Sequence, residues 1–130
     1  MLRTLAVIPA LALAVGPSAL AHAQPQDGTC DYELSPPTLV TVSGTTMVTA
    51  TVSPRACAGA VTFQTVACLQ MAGESGPGQC SQGRGILPAQ VLFQPYRPGT
   101  EYTATGKGCA SAGNPPSASC RTIGPLTATL

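Results

Sequence analysis

The sequence predicts an all-β fold, a two-sheet sandwich of about seven short strands stapled by disulfides. Three observations carry that expectation. Apolar and polar residues alternate with a period of two in residues 47–52, 61–67 and 102–105, with Gly, Pro and Ser between the runs. No stretch shows an apolar 3.6-residue period bounded by helix caps. Six cysteines (Cys30, Cys57, Cys68, Cys80, Cys109 and Cys120) fall in a chain of 130 residues, an even set that implies a disulfide framework in a small exported domain.

The first residues read as a targeting segment. Arg3 supplies a positive start, residues 5–15 are apolar apart from Pro9, and Gly16-Pro17-Ser18 breaks the run before the small-residue signature Ala21-His22-Ala23. The expectation is a signal peptide over 1–23, cleaved near Ala23, and one secreted domain over 24–130. A bilayer span needs about 20 apolar residues, more than this run offers, and no later stretch reaches that length. The mature chain is therefore expected to have no transmembrane segment and to work outside the cell or in its envelope.

Removing 1–23 takes away His22, the one histidine, and Arg3. What remains balances Arg55, Arg84, Arg97, Lys107 and Arg121 against Asp27, Asp31, Glu33, Glu74 and Glu101. A neutral chain without a basic run has nothing to neutralise a phosphate backbone, so no nucleic-acid partner is expected.

Taken in order, residues 39–42 form a short apolar segment after Pro36-Pro37, an expected edge strand, and Ser43-Gly44 turns the chain. In 47–52, Val48, Ala50 and Val52 share one face, and Ser53-Pro54 is expected to end the strand. Val61 and Phe63, followed by Thr65, are expected on the inward face of the next strand, with a face switch near Val66 that marks a bulge. Ile86-Leu87-Pro88 reads as the start of an interrupted strand that resumes at 91–93. A strand follows from Tyr102, and Leu126, Ala128 and Leu130 are expected inward on the last one.

Six cysteines leave many pairings open. Position favours Cys68 with Cys80 and Cys109 with Cys120, each closing a turn-rich loop, which leaves Cys30 for Cys57. None of the cysteines are close enough for a C-x-x-C redox pair or a zinc knuckle, so neither metal nor cofactor is expected.

The stretch Tyr96-Arg97-Pro98-Gly99-Thr100-Glu101-Tyr102 is a turn opening into a strand. Pro98 presets φ, Gly99 accepts a positive φ, and Tyr102 is placed to bury its ring and return its hydroxyl to the backbone. The spacing Pro98-Gly99-Thr100-x-Tyr102 resembles the tyrosine corner of fibronectin type III domains, which implies an Ig-like, Greek-key sandwich with Pro98, Gly99 and Tyr102 as its structural corner. The resemblance covers these few residues and carries architecture only. Across the chain, the short signal, the Ala, Pro, Gly and Thr content, the single lysine and the stapled loops resemble small exported proteins of actinobacteria, mycobacterial ones included. Among those, the neocarzinostatin-type carriers are secreted Ig-like sandwiches, which implies a small-molecule carrier as an alternative.

No catalytic residue is expected. Without histidine there is no Ser-His-Asp or Cys-His site, and Gly106-Lys107-Gly108 lacks the spacing and following helix of a phosphate loop, so Lys107 reads as a solvated residue at a strand end. The expected function is a non-catalytic binding or interaction module that presents its disulfide-closed loops, 69–79 and 110–119, to an extracellular protein, a glycan or a small apolar ligand. Met71 and Glu74 in the first loop and Asn114 and Pro115 in the second are the candidate binding residues. A carrier or a structural envelope protein is the alternative.

Overall fold

The computed structural model describes residues 28–130. The signal segment expected over 1–23, and Asp27, lie outside the described residues. Over the described residues the fold is a disulfide-stapled β-sandwich of eight strands: β1 (Thr29–Leu34), β2 (Thr38–Val42), β3 (Thr45–Ala58), β4 (Ala60–Met71), β5 (Gln79–Arg84), β6 (Ala89–Phe93), β7 (Glu101–Ala112) and β8 (Ser117–Thr129). All pairings are antiparallel.

One sheet is built on β3. Val52 pairs with Leu34 of β1 and with Ala89 of β6, and Val48 pairs with Leu39 of β2 and with Phe93 of β6. A strand residue has two lateral neighbours, so β1 and β2 lie end to end on one side of β3 and β6 on the other. Pro36 and Pro37 break that edge strand in two, because proline cannot donate to the ladder. Ser35 bridges the gap: its amide donates to the Thr51 carbonyl at 2.9 Å, and its hydroxyl accepts from the Thr51 amide at 2.8 Å. The second sheet runs β5-β4-β7-β8.

The strands are longer than the periodicity predicts. Pro54 does not end β3, which continues to Ala58 because a bulge opposite β1 absorbs it between the pairs Tyr32↔Pro54 and Cys30↔Cys57. Likewise β8 begins at Ser117, inside the loop expected through 119, since Ser117 already pairs with Ala112 and Cys120 with Cys109.

The core lies between the sheets. Val48, Ala50 and Val52 of β3 and Ala89, Val91 and Phe93 of β6 meet Ala67, Leu69 and Met71 of β4 and Tyr102 and Ala104 of β7. Aromatic rings are few, and Tyr102 fills the centre, fully buried, with Phe93 edge-on to it at 5.6 Å between centroids. Its hydroxyl accepts the Arg97 amide at 2.8 Å and donates to the Pro95 carbonyl at 3.5 Å. Between them, Gly99 turns the chain at φ +76°, and the Thr100 amide closes the turn on the Arg97 carbonyl at 3.3 Å. The Gly99 amide also donates to the carbonyl of Leu130, which fastens the last residue to the corner.

The inward face of β4 differs from the expected one. Val61 and Phe63 are exposed, whereas Thr62 and Thr65 are buried. The bulge exists, but it falls between Thr62 and Gln64 instead of near Val66, so Phe63 is the extra residue and the inward register resumes at Thr65.

The disulfides are Cys30–Cys57, Cys68–Cys80 and Cys109–Cys120, the pairing that position favours. Each joins residues directly opposite one another on neighbouring strands of one sheet. With Cα separations of 4.0–4.1 Å they occupy the close, non-hydrogen-bonded kind of antiparallel pair. The bridges therefore fix register within each sheet and leave the contact between sheets to packing.

Candidate binding surface

Strand direction separates the two stapled loops. Met71 at the end of β4 pairs with Tyr102 at the start of β7, and Ala60 at the start of β4 pairs with Ala112 at the end of β7. The β4–β5 loop, 72–78, thus leaves the sandwich at the corner end, and the β7–β8 turn, 113–116, at the opposite end, about 33 Å away for ten residues of strand. Glu74 is exposed in the first loop, where its amide closes a turn on the Met71 carbonyl at 3.2 Å. Met71 offers no contact there, because its side chain belongs to the core. Asn114 and Pro115 are exposed at the tip of the β7–β8 turn.

At that same end the chain displays apolar side chains that the periodicity assigned to strands. Ile86 is 71% exposed, Leu87 64%, Val61 64% and Phe63 43%. Ile86 and Leu87 do not begin a strand; they occupy the tip of a tight turn between β5 and β6, closed by the Leu87 amide on the Arg84 carbonyl at 3.2 Å. Two further bonds hold the turn to β4. The Gly85 amide donates to the Phe63 carbonyl at 2.9 Å, and the Thr65 hydroxyl donates to the Leu87 carbonyl at 3.1 Å. Gly83 lets the turn fold back this far: a Cβ there would stand 2.4 Å from the Leu87 carbonyl oxygen. The apolar tip is therefore fixed, and it has no core of its own to fill. Comparison with protein-family models, characterised proteins and solved structures finds no match.

Arg84 stands at the base of this turn, its carbonyl accepting the Leu87 amide. Asp31 of β1 accepts from Arg121 of β8 at 2.8 Å, a surface pair that joins the two sheets along one side, and Glu33 pairs with Arg55 across β1 and β3. Both pairs are exposed, so each adds roughly 1 kcal/mol or less. Among the described residues no three His, Cys, Asp or Glu side chains come together as a metal site.

Gly106-Lys107-Gly108 lies in the middle of β7, not at a strand end. Its glycines answer to packing. A Cβ on Gly106 would stand 2.5 Å from Cγ2 of Val52, and one on Gly108 would stand 2.3 Å from the Tyr32 ring. The sheets approach too closely here for side chains on β7, so the small inward residues do not open a cavity along this stretch. Lys107 itself points outward and is exposed, between Val66 and Thr122 on the neighbouring strands.

Proposed function

We propose that this chain is a non-catalytic, exported interaction module that binds an extracellular or envelope protein through the end of the sandwich bearing the β5–β6 turn. The observation that carries the reading is the fixed apolar tip: Ile86 and Leu87 are held out by three backbone-directed hydrogen bonds beside the exposed Val61 and Phe63. The turn is bonded to the backbone of Phe63, two residues from Val61, and exposed apolar patches are where protein partners bury area. Asn114 and Pro115 stand at the same end and extend the surface, while Glu74 lies at the other and is left out of it.

Export is supported by three cross-strand disulfides, which persist in oxidising compartments, and by the signal-like pattern ending at Ala23. No helix among the described residues is long and apolar enough to cross a membrane. The likeness to small exported actinobacterial proteins agrees with this placement and adds no ligand.

The test is the pair Ile86→Ser and Leu87→Ser. Together they should abolish retention of the protein partner that the native chain holds, with an unchanged melting temperature. Undiminished retention by a folded double variant would refute this surface. The carrier reading needs a pocket between the sheets, and at Gly106 and Gly108 the sheets pack too closely to leave one.

A further inference from the structure

The outer face of the β5-β4-β7-β8 sheet is interrupted where β7 and β8 lose register. Ala104 pairs with Leu126 and Gly106 with Ile123, so Gly124 and Pro125 together stand opposite the single residue Thr105. Gly124 permits the detour at φ +91°, and a Cβ at that position would stand 2.9 Å from both the Ala104 carbonyl oxygen and Cδ2 of Leu34. The displaced strand leaves a concavity of about 380 Å³ over β4, β7 and β8. This is at the lower end of the range of small-molecule sites.

Its lining has two parts. Val66 of β4 and Pro125 of β8 supply aliphatic walls, and Thr105 and Thr122 supply hydroxyls, while the Ile123 side chain packs inward against the core opposite Gly106. Lys107, the only lysine in the chain, stands on the same face. Among the described residues the ion pairs are Arg55 with Glu33 and Arg121 with Asp31, and none of the described acidic side chains lines the groove beside Lys107. An ammonium at the rim of an apolar trough attracts a negative head whose body can leave water against the walls.

We propose that this groove binds a small amphipathic anion, one carboxylate on a short aliphatic body, with the head on Lys107 and the body against Val66 and Pro125. The site is separate from the apolar end at Ile86, and either could fail without the other. It also differs from a carrier cavity between the sheets, since the ligand lies outside the core and exchanges freely with solvent.

The experiment is an amide-resolved NMR titration of the disulfide-intact protein with octanoate, and with 1-octanol as the uncharged counterpart. Octanoate should shift Val66, Thr105, Lys107 and Ile123 saturably. Lys107→Met should weaken octanoate by roughly threefold or more, as loss of a partly exposed ion pair implies, and leave 1-octanol unaffected. Lys107 is exposed, so the variant is expected to keep the native melting temperature, which the same sample reports. The proposal is overturned if octanoate and 1-octanol bind alike, if Lys107→Met leaves octanoate unchanged, if the shifts fall at Phe63 and Ile86, or if no saturable shift is seen up to the solubility limit.

Discussion

The Gly85 amide donates to the Phe63 carbonyl at 2.9 Å, tying the turn that carries Ile86 to the bulge that carries Phe63. The two exposed side chains are thereby parts of one construction. Extruding Phe63 shifts the register of β4, and the carbonyl of that extra residue accepts the amide that positions the turn.

The apolar tip should be nearly silent in stability. Ile86→Ser and Leu87→Ser should each change unfolding free energy by about 0.5 kcal/mol or less, as for other surface sites. Leu69→Ala, at a fully buried position, should cost about 2–5 kcal/mol. Urea unfolding of the three variants measures both.

Gly108 and Tyr32 should behave as a coupled pair. Gly108→Ala places a methyl 2.3–2.4 Å from ring carbons of Tyr32 and should cost about 1–3 kcal/mol. In a Tyr32→Ala background most of that cost should vanish. A double-mutant cycle reads the coupling, and additivity would contradict the contact.

Tyr102→Phe keeps the ring and removes the hydroxyl that accepts the Arg97 amide at 2.8 Å. The expected loss is about 1–2 kcal/mol, with the urea midpoint lowered and the slope unchanged.

The disulfides should rank by the loop they close. Removing Cys30–Cys57, which spans 27 residues, should cost about 0.8 kcal/mol more than removing Cys109–Cys120, which spans 11, on loop-closure entropy. Paired Cys→Ser variants compared by thermal unfolding give that order.

The sandwich was legible because its strands alternate and its turns carry glycine and proline where the backbone requires them, as at Gly99. The disulfide pairing was legible for a related reason: two of the bridges bracket short loops, which left the third pair no other choice. The binding end was hidden. Val61 and Phe63 carry the alternation of buried residues, and a single bulge reverses which face they occupy. That bulge depends on the register with β7, a long-range pairing that no local pattern encodes. Ile86 and Leu87 misled in the same way, because two branched apolar residues before a proline resemble a strand start. Their exposure follows from Gly83, Gly85 and Thr65, which draw the turn back onto β4. The groove at Lys107 also comes from a register loss, marked in the sequence only by Gly124-Pro125.

The interaction end is tested most directly by site-resolved photo-crosslinking, with a benzophenone-bearing residue placed in turn at Ile86, Pro115, Glu74 and Leu92 and the protein added to its native envelope extract. The predicted result is one discrete adduct of the same mass from Ile86 and Pro115, at the shared end, with none from Glu74 at the corner end or from Leu92 on β6. An adduct from Glu74 with none from Ile86, equal labelling from all four positions, or no discrete adduct at all would contradict it.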